Sequence, residues 1–256
     1  MQKRSLRWTE GVCVLEGPEL VRAALEASVE FEAIYLDAES ASTDALRGIV
    51  AEAATHGVRV FSLAPGVLER VADAATPQPV VAAVRLPLSG LEEIPAEGLV
   101  LVLHDVRDPG NAGTLIRSAD AAGASGIVFT GSSVDPFNPK TLRATVGSIF
   151  QVPVAVASLE DTLASFHARG AAAWATLVRG GRNHREVDYL EPTLVVIGNE
   201  ADGLDEASIA LCDGSISIEM AGASESLNAG VAGSLIAFEA LRQRQDTTKP
   251  PRTPSL

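Results

Sequence analysis

Three stretches of the chain place hydrogen-bonding side chains and glycines where an apolar run meets a helical pattern. HDVRDPGNAGTLIRSADAAG, residues 104–123, offers Asn111 and, six residues later, Arg117. That spacing puts both near one helical end, at the carboxyl edge of a sheet, where open α/β folds bind ligands. TLVVIGNEADGLDE, residues 193–206, is an apolar strand pattern that stops at Gly198 and then presents Asn199, Glu200 and Asp202. A strand ending in glycine has no Cβ there, so backbone amides and carbonyls can approach a flat ring such as an adenine. IEMAGASESLNAGVAGSLIAFEAL, residues 218–241, opens like a strand, turns polar through Glu225, Ser226 and Asn228, and finishes as an apolar helix.

Each stretch alone has plainer readings. Strand, glycine loop and helix also describe a dinucleotide site, but GNAG is not GxGxxG, and the next strand ends in FTGSS without the acidic residue a ribose requires. Asn111 can serve as a helix cap with Arg117 on a solvated face. A strand-to-helix turn capped by Asp205 accounts for Gly203 and Asp205 but leaves Glu200 unexplained. The two cysteines, Cys13 and Cys212, and the four histidines, His56, His104, His167 and His184, lack ligand or disulfide spacing, which predicts no metal.

The elements that must carry these loops follow from periodicity. Residues 11–85 alternate β-rich runs (VCVLEG, FEAIYL, VRVFSL, VVAAV) with helical patterns, a smaller α/β unit. Pro18 suits the first turn of a helix and Gly57 the end of another. RLPLSGLEEIPAEG then breaks the pattern with two prolines and two glycines. Past it, LVLVLHD and later apolar runs alternate with helices, predicting a parallel sheet covered by helices. The reading divides the chain into an N-terminal domain 1–88, a linker 89–98, a larger domain 99–245 and a disordered tail 246–256. In the last helix Val231, Ala232, Leu235, Ile236, Phe238 and Leu241 recur at helical spacing and predict one buried stripe. Its small residues Ala229, Gly230, Ala232 and Gly233 let backbone approach backbone, at about 1 kcal/mol for each interior glycine relative to alanine.

The chain has 256 residues, 46% hydrophobic and 21% charged, and a formal net charge of -13. No run approaches the roughly 18 apolar residues of a membrane span, and MQKRSLRWTEG is not followed by a signal-peptide core, so the expected location is the cytoplasm, with no membrane partner. The acidic balance argues against a polyphosphate-binding surface unless basic groups are local. Three such groups stand out: Lys140 with Arg143, Arg179 with Arg182 and Arg185, and Lys3 with Arg4 and Arg7.

NAGTLIR, VVIGNEADGL and IEMAGASESLNAGVA, in this order, resemble the three motifs of the SpoU-TrmH family of RNA ribose 2'-O-methyltransferases, within the SPOUT superfamily. The likeness covers residues 97–245. EGVCVLEGPELVRAALE and TPQPVVAAV resemble, more loosely, the ribosomal-protein-like RNA-binding domain that precedes the catalytic domain in many members. Three positions in the third motif depart from the family: Glu219 stands where proline more often follows the isoleucine, and Ala229-Gly230 where valine-serine more often follows the asparagine.

The resemblance implies a C-terminal α/β domain with a deep trefoil knot, although general rules disfavour knots. It implies S-adenosyl-L-methionine as cofactor, with Gly198, Ile218, Met220, Leu227 and Thr176 around it. Arg117 is the implied central catalytic residue, with Asn111, Glu200, Ser226 and Asn228 ordering the loops. Lys140 and Arg143 are the implied RNA-binding residues, and a homodimer the implied assembly. The expected activity is 2'-O-methylation of RNA, 23S ribosomal RNA first and transfer RNA second. A non-catalytic RNA-binding protein of the same fold is the remaining alternative.

Overall fold

In the computed structural model, residues 3–40, 43–71, 78–223 and 225–248 are described; most of the tail expected to be disordered, residues 249–256, lies outside them. The chain forms two compact units, Met1–Pro87 with Asp135–Gln151, and Leu88–Val134 with Val152–Leu256.

The first unit is laid out as α1 (Arg4–Glu10), β1 (Val12–Glu16), α2 (Pro18–Glu26), β2 (Phe31–Asp37), α3 (Asp44–Thr55), β3 (Val60–Leu63), α4 (Leu68–Val71) and β4 (Val80–Arg85). Its strands lie in the order β1-β4-β2-β3. Both contacts of β4 are antiparallel, while β2 and β3 run parallel. Pro18 opens α2, where a missing N–H costs nothing, and Leu20, Val21, Ala24 and Leu25 form its buried face. Leu46, Ile49 and Ala53 do the same for α3.

One basic residue behaves otherwise than the sequence suggests. Arg7 is buried, its Nε 3.0 Å from Asp135 Oδ2, and both side chains are almost wholly enclosed. A guanidinium satisfied by a buried carboxylate is not free to meet a phosphate, so the grouping of Arg7 with Lys3 and Arg4 as an RNA face is corrected.

The second unit holds β5 (Leu99–His104), α5 (Pro109–Ala121), β6 (Gly126–Thr130), β7 (Val154–Val156), α7 (Leu159–His167), β8 (Ala172–Leu177), β9 (Arg182–Asn183), β10 (Thr193–Ile197), α8 (Glu206–Ala210), β11 (Gly214–Ser217) and α9 (Ala229–Thr248); α6 (Pro139–Thr145) belongs to the first unit. All seven strands are parallel, in the order β7-β6-β5-β10-β8-β11-β9. Every residue of β6 and β10 is buried, as expected where helices cover both faces. The segment after residue 88 packs on this sheet: Ile94 is fully buried, and Arg169 donates to the carbonyls of Leu91 and Ile94 while lying over Phe166.

Two details differ from the sequence reading. β11 ends at Ser217, so Ile218 and Met220 leave the sheet instead of pairing into it. The apolar residues of α9 do not form one buried stripe. Ile236, Ala237 and Ala240 are buried, whereas Val231, Leu235 and Phe238 are close to half exposed. The cause is α5, which takes the small-residue side of α9. A Cβ on Gly233 would collide with Leu115 and Ile197, one on Gly230 would lie 3.3 Å from Thr114, and Ser234 Oγ meets Ser118 Oγ at 2.7 Å.

Candidate active site

The order of strands selects the site. β10 inserts between β5 and β8, so the chain leaves β5 toward β6 on one side and lies on the other side at β8 and β11. At such a reversal the loops beyond the carboxyl ends of the strands splay apart and leave a crevice. A cavity occupies this place in the second unit, lined by Thr176, Gly198, Glu200, Ile218, Ser226 and Leu227, among others.

Five residues carried as cofactor contacts, Gly198, Ile218, Met220, Leu227 and Thr176, all line it. Ile197, Ile216 and Ile236 extend its apolar wall. Thr176 is fixed by donating its hydroxyl to Val196 O at 2.9 Å. Gly198 has a more local reason for lacking a side chain than an approaching ring. A Cβ there would stand 2.5 Å from Gly203 C and 2.6 Å from Leu204 N, because Asn199 and Gly203 close a tight antiparallel bridge. Gly203 itself has φ +72°, a conformation that favours glycine.

Asn111 knits the three loops together. Its Nδ2 donates to Glu200 Oε1 at 2.9 Å, and its Oδ1 accepts from Asn228 Nδ2 at 2.8 Å. Glu200 also accepts from the amides of Asp108, at 3.2 Å, and Arg107, at 3.4 Å, ahead of α5. Asp108, not Asn111, caps that helix, accepting from the Asn111 amide at 2.8 Å. The amide side chain is thereby left to the other two loops, and the plain capping reading of Asn111 falls. Asn228 Oδ1 in turn accepts from Val231 N at the start of α9. Burial raises the Glu200 carboxyl, but hydrogen bonds from the Asn111 side chain and the backbone amides of Glu200, Asp108 and Arg107 outweigh it and hold the group below the ordinary glutamate range.

Sequence reasoning passed over Asn199 and Asp105 as partners. Asn199 Nδ2 donates to Asp105 O at 2.9 Å, joining the first and second loops beneath Glu200. Asp105 has φ +57°, a left-handed conformation in which aspartate is among the few tolerated side chains. The available signal was an aspartate directly after a buried strand.

The other candidates are dispersed. Arg117 is exposed on α5, does not line the cavity, and has no hydrogen-bond or ion-pair partner among the described residues. Ser226 lines the cavity. Lys140 is exposed on α6 in the first unit, and Arg143, on the same helix, is half-buried with Nη1 3.7 Å from Glu16 Oε2. Arg179, Arg182 and Arg185 are exposed, with Arg182 over the Trp174 ring.

A parallel α/β sheet whose switch-point loops are locked by an Asn-Glu-Asn network beside a cavity is a ligand-binding α/β domain. Residues 98–238 match the model of the SpoU rRNA Methylase family, and residues 1–82 match the MRM3-like substrate binding domain. The chain belongs to the SpoU rRNA methylase family. It is 34% identical, over 94% of its length and 86% of the relative's, to the 23S rRNA (uridine(2479)-2'-O)-methyltransferase of Streptomyces viridochromogenes. It is 31% identical, over 88% and 86%, to the 23S rRNA (guanosine(2553)-2'-O)-methyltransferase RlmP of Bacillus subtilis strain 168. Among solved structures, the SpoU methyltransferase AviRb from Streptomyces viridochromogenes, in complex with the cofactor AdoMet, superposes with a TM-score of 0.85 at 31% identity, covering 95% of this chain and 94% of that one. An rRNA methyltransferase from Sinorhizobium meliloti gives 0.82 at 32% identity, covering 94% and 91%.

Proposed function

We propose that this chain is an S-adenosylmethionine-dependent RNA (ribose-2'-O)-methyltransferase acting on 23S ribosomal RNA in the cytoplasm. The observation that carries the reading is that Asn111, Glu200 and Asn228 tie the three motif loops together beside a cavity lined by the second and third of them.

The cavity fits the cofactor's chemistry. Ile197, Ile216, Ile218, Leu227 and Ile236 offer apolar walls to a flat adenine, the chain beyond Ser217 brings backbone outside the sheet, and ionised Glu200 adds negative charge suited to a cationic ligand. When bound, S-adenosylmethionine supplies a methyl group on a positively charged sulfur. The chain's residues must then bring a ribose 2'-oxygen into line with that methyl, and holding reactants in near-attack geometry is worth several kcal/mol. Selectivity for RNA over DNA follows, because the nucleophile is the 2'-hydroxyl.

Arg117 is the anchor for substrate. Its guanidinium stays protonated, so its role is to bind phosphate and stabilise charge developing on the ribose oxygen. Its exposure, with no partner among the described residues, leaves it available for that task. Asn111, Glu200 and Asn228 hold the three loops in register, with Ser226 on the cavity wall. Lys140 and Arg143 contribute to RNA docking. The domain carries the trefoil knot of its family.

Two copies pair through α9. The partly exposed Val231, Leu235 and Phe238 recur along one side of that helix and support this assembly. Sedimentation as a single chain at micromolar concentration counts against it.

The activity is tested by mapping 2'-O-methyl positions in 23S ribosomal RNA from cells with and without the gene. One site lost with the gene, and restored in vitro by the purified chain with S-adenosylmethionine, is the expected result. An unchanged map, with no methyl transfer in vitro, overturns the reading.

A further inference from the structure

The negative charge of the chain is distributed unevenly. The first unit holds ten Lys and Arg against thirteen Asp and Glu, a balance of -3, and the second unit ten against twenty, a balance of -10. RNA therefore gains little from long-range attraction, and affinity must draw on contacts that do not depend on charge.

Aromatic faces make such contacts, because every base presents a π-face to stack upon. Phe61 and Phe238 are the aromatic residues among the exposed large hydrophobics of the described chain. Phe238 shares its helix side with Val231 and Leu235, an aliphatic setting. Phe61 is different. It lies on β3, the edge strand of the first unit's sheet, directly in register with Tyr35 on β2. The two rings are stacked, with centroids 5.6 Å apart and planes inclined by 20°.

Phe61 is 44% exposed, and Ser62, on the opposite face of the same strand, is exposed as well, so both faces of the edge are open here. Burying Phe61 inside would have satisfied the hydrophobic effect; instead the ring is held flat against Tyr35 with surface left to solvent. Arg59, two residues earlier and just ahead of the strand, is exposed, with Nη2 donating to Glu32 O at 3.2 Å and further N–H donors on the same guanidinium. Its backbone continues the ladder, O accepting from Ile34 N at 2.9 Å. An aromatic platform beside an exposed guanidinium matches one unpaired base with its phosphate. It sits inside the span that matches a substrate-binding domain.

We propose that Phe61, backed by Tyr35, is a stacking platform for an unpaired base of the substrate RNA, with Arg59 placed for the adjoining phosphate. The proposal rests on the RNA-methyltransferase reading and adds a contact on the first unit.

The test uses the full chain and a fluorescein-labelled single-stranded oligoadenylate, alongside an abasic oligonucleotide of equal length and charge. Wild type should bind the base-bearing strand more tightly than the abasic one. Phe61→Ala should weaken binding to the base-bearing strand by roughly five- to a hundredfold and leave the abasic strand unaffected. Phe61→Trp should preserve affinity, its indole fluorescence responding to the RNA. Phe61→Leu, apolar but without a π-face, should behave like Phe61→Ala. With ribosomal RNA as substrate, Phe61→Ala should raise KM while leaving kcat and S-adenosylmethionine binding by calorimetry unchanged. Equal binding of base-bearing and abasic strands by wild type, or full affinity in Phe61→Leu, overturns the platform, the latter pointing to an apolar protein contact. Loss of cofactor binding in the wild type would instead overturn the methyltransferase reading.

Discussion

The side-chain amide of Asn111 stands 2.9 Å from the carboxylate of Glu200, 89 residues further along the chain. Because the other end of the same amide accepts from Asn228, one side chain fixes the first loop against the second and third. Asn111 is 8% exposed, so water cannot readily replace what is removed. Asn111→Asp exchanges a donor for a second carboxylate facing Glu200 and should destabilise the fold more than Asn111→Ala, for which about 1–2 kcal/mol is expected. Turnover should fall by about 100-fold in either, since small misplacements of reacting groups cost that much. Urea unfolding and initial rates measure the two effects.

Glu200 adds a pH dependence. Its folded-state carboxyl is lower than in an unfolded chain, so the stability it contributes is present above the ordinary glutamate value of about 4.3 and is lost as pH falls through the lower folded value. Glu200→Gln should therefore differ from wild type in thermal midpoint at neutral pH, and the two curves should converge in acid. A constant difference across that range would mean that the carboxylate's charge is not what the amides select.

Arg117 makes the opposite prediction on stability. It is exposed and unpartnered among the described residues, so Arg117→Ala should change unfolding by no more than about 0.5 kcal/mol. Methyl transfer should drop by about 100-fold or more, with cofactor binding by calorimetry nearly unchanged. Substantial residual turnover would remove Arg117 from the centre of the reaction.

The Arg7–Asp135 pair is an anchor of the first unit. Both side chains are within 3% of full burial, and removing one leaves an uncompensated buried charge. Arg7→Ala and Asp135→Ala should each cost about 3–5 kcal/mol. Arg7→Met combined with Asp135→Leu should recover much of that loss, because the buried charges vanish together. Chemical denaturation of the three variants checks this.

Much of the molecule was legible because its signals are local. Continuous apolar runs announced the parallel strands, Pro18 marked the first turn of α2, and the second and third motifs pointed to Gly198, Ile218, Met220 and Leu227, which line one cavity together with Thr176 from the end of β8. Arg7 was misjudged because a lone arginine in a sequence carries no sign of an aspartate 128 residues away. The end of β11 at Ser217 was likewise unreadable, since strand-forming residues continue to Ile218 and only the loss of a partner strand stops the ladder.

What the sequence by itself determined is the chemistry available: which side chains donate and accept, where backbone can approach closely, and which segments must be buried. The tertiary structure decided which of these meet. Inserting β10 between β5 and β8 brings Glu200 to Asn111, and the collar of small residues on α9 turns Gly230 and Gly233 toward α5 while leaving Val231, Leu235 and Phe238 outside. The physical reason is common to both. Hydrogen-bond reach and side-chain volume act over a few ångströms, whereas the residues they join are separated by 89 positions in one case and more than a hundred in the other.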